Sequence, residues 1–465
     1  MRPLRFGVNG WVARVGDGFD ESSVVRIAAA LGQAWAHRAV GSTVMVGYDT
    51  RRDSLRLALV AGQVIAAQGL EVVVSDRVCP TPALSWSIAT NPRCVGGVML
   101  TASEASCEYG GLLVRQHDGG PLDPVFADRV EQLISSVPTD ARASVERADL
   151  VSSYLDNIAI LADSTLISGS GLRVVVDGMY GATAGYAGRL FERLGCEVIN
   201  IHEAHVPDFR GLHPDAREPW VDECERAVMR HRADLGIVLD GDGDRMGIID
   251  ARGRLVSQHD LAPLVLEHVV GQRGMRGRVV STVASSVRFA RHAERLDLEH
   301  TMVPVGFDAI YGEFSDGDVI LATEEYGGIC VPPHLPERDG LAAAAMIVEL
   351  MAGTGESVRD MVDECERQVG AFEYVSKDVR LDFSLMQRLR NVLPGLNPPE
   401  VCGQVPLAVT HPSGLRVELP DGSWALVRLS RSRQLARCYA EVPAPGSVRP
   451  LLSWAVSLAR SGGRA

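Results

Sequence analysis

The sequence predicts an α/β protein: three related α/β units in succession, then a smaller α+β unit at the C-terminal end. Three observations carry this prediction. The order strand, small-residue loop, helix, strand, proline occurs three times in succession. The chain is 46% hydrophobic but only 5% aromatic, a balance suited to layers packed with Val, Ile, Leu and Ala. From about Phe372 the pattern changes to shorter strands with several prolines and no comparable unit. At 465 residues the chain also exceeds what one core organises, which calls for three or four domains.

The elements follow in order. Phe6 to Arg14 reads as a short strand running into a glycine-bent loop. Asp20 caps a helix from Glu21 to His37, with Val24, Val25, Ile27, Ala28, Leu31 and Trp35 on one face. Thr43 to Tyr48 is a buried strand; the loop Asp49 to Ser54 leads into a helix to Gln68, which Gly69 stops. Glu71 to Ser75 returns toward Pro80-Thr81-Pro82. The second copy has a strand from Leu172 to Asp177, a loop from Gly178 to Thr183, a helix to Leu194 stopped by Gly195, and a strand from Glu197 to Ile201 before Pro207. The third runs from Gly277 to Ser281 through Ala284-Ser285-Ser286, a helix to Leu296, a strand from Leu298 to Val303, and Pro304. The copies share pattern rather than identity, as expected of βαβ units of related topology. The expected domains are 1–148, 149–256, 257–370 and 371–465, divided near 139–151 and 367–377.

Charge and composition exclude some functions. A net charge of −13 argues against a nucleic-acid polymer as partner, since phosphate backbones demand basic surfaces. Met1 to Phe6 lacks the apolar run of a signal peptide, and no stretch approaches membrane-spanning length, so a cytoplasmic address without membrane contact is expected. The nine cysteines are scattered without a CxxC pair, which reads as free, mostly buried thiols; Cys107 reads as a small core residue.

The strongest chemical signal is Asp240-Gly241-Asp242-Gly243-Asp244-Arg245. It sits between two apolar runs, Leu235 to Leu239 and Met246 to Ile249, and so caps a hairpin. Glycines let the backbone turn alternate Asp side chains toward one point, where their charges repel unless a cation is present. Hard carboxylate oxygens suit Mg²⁺, Mn²⁺ or Ca²⁺, and three ligands suit Mg²⁺ sharing its sphere with water or a phosphoryl oxygen. An EF-hand would need Glu at position 251, which is Ala, and flanking helices. The alternative is an acidic turn without metal.

Three weaker signals accompany it. Ser103 follows the strand-like Gly97 to Leu100 in the loop Thr101-Ala102-Ser103-Glu104, a usual place for a nucleophile or phosphate contact, and equally for a capping serine. No histidine is near enough in sequence to make a hydrolase triad; His117 comes closest. Glu324-Glu325-Tyr326-Gly327-Gly328 could hold sugar hydroxyls, or be an acidic turn. Arg428, Arg431, Arg433 and Arg437, with Ser430 and Ser432, form a basic loop in an acidic protein; guanidinium forks match phosphate oxygens, and an exposed charged loop is the alternative.

In order along the chain, these motifs resemble the α-D-phosphohexomutase superfamily, the phosphoglucomutases and phosphomannomutases. The matches are Phe6-Gly7…Gly10-Trp11, Gly47-Tyr48-Asp49-Thr50-Arg51, Pro80-Thr81-Pro82-Ala83-Leu84-Ser85, Thr101-Ala102-Ser103, Asp240 to Arg245, Pro304 to Phe307 and His334 to Gly340. The resemblance implies three mixed-sheet α/β domains and a smaller fourth around a central cleft. It implies a phosphoryl-carrying Ser103 beside Mg²⁺ held by Asp240, Asp242 and Asp244, with Arg245 at the reacting centre. It also implies a small phosphosugar as substrate and a phosphate grip by Arg428, Ser430, Ser432, Arg433 and Arg437; we expect a monomer or homodimer.

The departures are informative. The family's arginine after Gly10-Trp11 is Val12, with Arg14 two residues on as the candidate substitute. Its H-N-P after the serine is Glu104-Ala105-Ser106, and two of its lysines are Leu113 and Asp308. The serine of its sugar loop is Tyr326, although Glu324 remains. Arg14, Asp308, Glu324 and Tyr326 are therefore the candidate substrate contacts. Glu104 is open to three readings: a new general base, a fourth metal ligand in the phosphoryl's place, or a solvated loop carboxylate. Losing such cations commonly costs about a hundredfold or more each, so ordinary turnover requires a rebuilt site. The expectation is a divergent Mg²⁺-dependent phosphosugar mutase. The alternatives are a phosphosugar-binding pseudoenzyme or partner subunit, and a phosphosugar hydrolase or eliminase using Glu104.

Overall fold

The three predicted units share one strand arrangement. In the computed structural model, which describes residues 4, 6–7, 10–37, 41–134, 141–430 and 434–463, each unit places a central strand between two parallel neighbours and closes one side with an antiparallel strand. In the first unit Thr43–Tyr48 lies between Glu71–Ser75 and Cys94–Leu100, and Tyr109–Gln116 runs antiparallel beside the latter. In the second, Arg173–Asp177 lies between Glu197–Ile201 and Leu235–Leu239, with Met246–Asp250 antiparallel. In the third, Arg278–Thr282 lies between His300–Val303 and Val319–Thr323, with Ile329–Cys330 antiparallel. The first sheet is wider, gaining Gly10–Val15 and Gly18–Phe19 at one edge and Glu146–Ala148 at the other.

Local chemistry accounts for these elements. Every residue of Thr43–Tyr48 is buried, as a parallel strand covered on both faces requires. Asp20 accepts from the Ser23 N–H at 2.8 Å and so caps the helix Glu21–Ala36. Gly195, at a φ of 102°, ends the helix Ala187–Leu194 in the left-handed region that glycine adopts freely. The helix Gly340–Thr354 is buried without a break from Gly340 to Met351, so its all-round apolar character belongs to a core. No single helix among the described residues is long and apolar enough to cross a membrane.

One continuous core underlies the three units. It joins Met45, Leu84 and Met99 of the first to Val174 and Leu235 of the second and to Leu261, Leu341 and Ile347 of the third. The tail has its own core, beneath five antiparallel strands in the order Phe372–Arg380, Leu435–Pro443, Trp424–Leu429, Leu415–Glu418, Ala408–Thr410. It meets the third unit where Trp424, Leu426 and Tyr439 pack on Val283 and Ala284.

Three expectations are corrected. The opening strand is Gly10–Val15, beginning where a loop was expected; it pairs with Tyr109–Gln116, a partner about a hundred residues away. A Cβ on Gly10 would lie 2.3 Å from the Leu112 carbonyl oxygen, so its glycine permits close strand approach rather than a bend. The tail's strands are not uniformly short: Phe372–Arg380 and Leu435–Pro443 are nine residues each, and Phe372–Arg380 is largely exposed, so it carries no apolar run. Cys107 is exposed rather than a core residue, because it lies on the solvent side of the loop after Ser103. Of the nine thiols, seven are buried.

Candidate active site

The acidic hairpin forms as its sequence dictates. Leu235–Leu239 pairs with Met246–Asp250 in register, Leu239 opposite Met246. Asp240 closes the turn by accepting from the backbone N–H groups of Gly243 (2.9 Å) and Arg245 (3.2 Å). Asp240, Asp242 and Asp244 are each no more than 1% exposed, and each offers an oxygen within 4.8 Å of the others. Thr81, from the Pro80-Thr81-Pro82 stretch, donates its hydroxyl to Asp242 at 2.5 Å, while Asp242 Oδ1 is buried without a hydrogen-bond partner. Burial first, then the charge of Asp244, raises the Asp242 carboxyl to about 7. Asp240 is raised well above the carboxylate range by burial and by the charges of Asp244 and Asp242. Burial also raises Asp244, but Arg338, at 2.7 Å, and Arg245 hold it below its ordinary value. An orphaned oxygen and carboxylates strained toward protonation are what a hard cation would relieve; these residues fit a divalent ion.

The serine loop meets this hairpin head-on. Ser103 has a φ of 49°, a conformation that costs an L-residue about 1–3 kcal/mol and is held here by its surroundings. Arg51 supplies them. It donates to the carbonyls of Ser103 (2.7 Å), Ala105 (2.6 Å), Ser106 (2.7 Å) and Tyr109 (3.2 Å), and its Nε to Asp49 (2.9 Å). Asp49 in turn accepts from the Thr101 and Ser54 hydroxyls. The Phe209 ring of the second unit packs 4.9 Å from the Arg51 guanidinium carbon. Gly241 lets the two loops touch: a Cβ there would lie 2.4 Å from the Ser103 carbonyl oxygen.

Ser103 Oγ therefore lies 3.4 Å from Asp240 Oδ2 and 3.3 Å from Arg245 Nη1. Arg245 is the hub of the centre. Its Nη1 reaches Glu104 (2.8 Å), Asp240 (3.5 Å) and Asp244 (3.7 Å), and its Nε lies 3.5 Å from Glu324. Burial raises the Glu104 carboxyl, yet the Arg245 charge overrides that and holds it far below the usual range. The ion pair makes Glu104 a fixed anion and a poor proton acceptor.

The remaining predicted residues do not gather at one point. Glu324 accepts from Arg338 at 2.8 Å beside Arg245. Tyr326 lies at the junction of the third unit and the tail, its hydroxyl 3.4 Å from that of Tyr439. Buried Glu325 receives hydrogen bonds from Thr282 (3.1 Å), Tyr439 (3.2 Å) and Arg428 (3.3 Å). The guanidinium carbons of Arg437 and Arg217 lie 5.0 and 4.8 Å from the Tyr326 ring centre. Ser430 begins the basic loop, with its N–H on the Leu435 carbonyl at 3.0 Å. Arg431, Ser432 and Arg433 lie outside the described residues. Arg14 forms an exposed pair with Glu108 at 3.2 Å, and Asp308 sits half-buried in the first turn of the helix Phe307–Tyr311. Val12 is 46% exposed, whereas Leu113 is buried in the first unit.

Sequence reasoning missed four residues that the fold brings to this region: Arg51, Thr81, Arg338 and Arg217. The first three stand inside motifs already noted, so their type and place were the available signal. Arg217 carries none.

Comparison with known proteins agrees with this architecture. Residues 3–140, 152–253 and 258–369 match, in order, the α/β/α domains I, II and III of phosphoglucomutase/phosphomannomutase. The chain belongs to this family, within the α-D-phosphohexomutase superfamily. Among its relatives, a Methanopyrus kandleri protein assigned as a phosphoglucosamine mutase is 28% identical over 98% of this chain and 97% of its own. A Thermococcus kodakarensis phosphoglucomutase/phosphomannomutase is 26% identical over 89% of each chain. A solved Thermus thermophilus structure, assigned as a phosphomannomutase, superposes with a TM-score of 0.86 at 29% identity, covering 98% of this chain and 99% of its own.

Proposed function

We propose that this protein is a Mg²⁺-dependent phosphosugar mutase that moves a phosphoryl group between two hydroxyls of a sugar monophosphate by way of Ser103. The observation that carries this is the juxtaposition of Ser103 Oγ with Asp240 and Arg245, at 3.4 and 3.3 Å, across two units of the fold. Asp240, Asp242 and Asp244 would hold the ion, which when bound neutralises charge on the phosphoryl oxygens. In the forward half, the phosphorus–oxygen bond at Ser103 breaks as one forms to a sugar hydroxyl, and the proton that this hydroxyl gives up is taken by the departing Ser103 oxygen. The resulting bisphosphate turns over, and Ser103 recovers the other phosphoryl group. Arg51 and Asp49 keep the serine in its strained position, and Arg245 aligns the reacting oxygens. The sugar sits between Glu324 and Tyr326, and Arg428, Ser430 and Arg437 grip the phosphate that is not reacting. The domains 1–148, 149–256, 257–370 and 371–465 form the walls of the cleft on this reading.

The Glu104–Arg245 pair weighs against hydrolysis or elimination with Glu104 as base, since the Arg245 charge lowers the carboxylate's affinity for a proton. The test is intact-mass analysis after incubation with α-D-glucose 1,6-bisphosphate and Mg²⁺. Wild type is expected to gain one phosphate and Ser103→Ala none. No phosphate on wild type, together with no isomerisation of glucose or glucosamine phosphates, would overturn the reading and leave a binding role.

A further inference from the structure

We infer that Arg217 is a substrate-binding cation: from the second unit it reaches the Tyr326 ring that Arg437 approaches from the tail, and it contacts the phosphate of the bound phosphosugar. This rests on the mutase reading and adds to it a residue that the motifs do not contain.

Charge balance makes the case. Five carboxylates surround the reacting centre: Asp240, Asp242, Asp244, Glu104 and Glu324. The two arginines among them are already engaged. Arg245 faces Glu104, Asp240, Asp244 and Glu324. Arg338 faces Asp244, Glu324 and Glu337. Even with a divalent ion on the three aspartates this field stays net negative, so a phosphate dianion entering it calls for a further cation, and Val12, Leu113 and Asp308 stand where the family pattern has an arginine and two lysines.

Arg217 is the cation the fold supplies. Its segment hangs on the acidic hairpin, because Gly241 donates its N–H to the Pro214 carbonyl at 3.0 Å. The neighbouring Ala216 carbonyl oxygen lies 2.4 Å from where a Cβ on Gly247 would be, so the two backbones are in close contact. Its position relative to the aspartates is thereby set. The side chain is 39% exposed, within reach of a ligand. Its charge acts on Glu104, next to Ser103, while its guanidinium carbon is 4.8 Å from the centre of the Tyr326 ring. It thus lies between the acidic hairpin, on which its segment rests, and the Tyr326 ring. Asp215 engages its Nε and Nη2 at 2.7 Å, orienting the fork. Stacking on an aromatic face leaves the in-plane N–H donors of a guanidinium available, so Tyr326 supports the group without consuming its hydrogen bonds. Tyr326, in place of a serine in the family's sugar loop, then has a reason: it is the platform for two arginines from opposite lobes.

The test measures glucose 6-phosphate binding by calorimetry, with Mg²⁺, alongside steady-state mutase kinetics. Arg217→Ala is expected to weaken binding and raise KM by about tenfold or more, the loss of one charge-assisted contact, with a much smaller change in kcat. Arg217→Lys should recover part of that loss. Arg226→Ala, which breaks an exposed i, i+4 pair with Asp222, serves as the control and should bind like wild type. If Arg217→Ala lowers the thermal midpoint, Arg217→Gln, which keeps length and polarity, is measured instead. Wild-type affinity and KM in the Arg217 variants would overturn this inference alone. A wild type that binds no sugar phosphate would overturn the mutase reading, and this inference with it.

Discussion

Lowering the pH from 8 to 6 perturbs the acidic hairpin directly. Asp242 is raised from 3.8 to about 7 by burial and by Asp244, and Asp240 is also raised, by burial and by the charges of Asp244 and Asp242. A divalent ion takes these carboxylates only when they are deprotonated, so each retained proton competes with it. For one group titrating near 7, the deprotonated fraction is about nine-tenths at pH 8 and about one-tenth at pH 6. The dissociation constant for Mg²⁺ should therefore rise about tenfold between those values from Asp242 alone, and more with Asp240. The metal-free protein should move the other way. Because the folded value lies above the unfolded one, the stability contributed by Asp242 is fully present below pH 3.8 and is lost as pH rises through about 7. The gap is worth at most about 4 kcal/mol. Metal-free protein should thus melt at a lower temperature at pH 8 than at pH 6, and saturating Mg²⁺ should raise the midpoint most at pH 8. Calorimetric titration in two buffers of different ionisation enthalpy measures both the affinity and the protons released. Equal Mg²⁺ affinity at pH 6 and pH 8, with no proton release, would refute this account of the carboxylates.

Three further outcomes follow from the same geometry. Gly241→Ala puts a methyl group against the Ser103 carbonyl, so Ser103 phosphorylation by the bisphosphate should fall about a hundredfold or more while Mg²⁺ still stabilises the protein; intact mass and thermal scans read the two effects separately. Arg51→Ala removes the donors that hold the Ser103 loop and leaves buried Asp49 without its counter-ion, and should lower the thermal midpoint by several degrees; Arg51→Lys should not restore it, since one ammonium cannot span those carbonyls. Arg338→Met removes the nearest cation of Asp244 and Glu324 and one of the two that face Glu337, and should destabilise by about 3–5 kcal/mol in urea unfolding, with Mg²⁺ recovering part of the loss through Asp244.

The hairpin was legible from residues 235 to 249 alone, because two apolar strand-like runs flank a short turn whose glycines permit the tight reversal that pairs them. The caps, the glycine stops and the thrice-used strand–helix–strand order were legible for the same local reason. Glu104 was not. Its neighbours in sequence leave base, ligand and solvated carboxylate open, and an ion pair with a residue about 140 positions away, which weighs against the first, appears only in the fold. The nine-residue tail strands were illegible because one of them presents mostly polar residues to solvent, and only its partner shows where it belongs.

By itself, then, the amino-acid order determined the local conformations and the inventory of charged groups at each turn. Those depend on dihedral preferences and side-chain spacing over a few residues. Only the tertiary structure decided which charges meet: Arg51 with the serine loop, Arg245 with Glu104, Arg338 with Asp244, and Arg217 with Tyr326. Hydrogen bonds act over about 3 Å and screened charges over roughly 10 Å, so partners distant in sequence acquire roles only when packing brings them together.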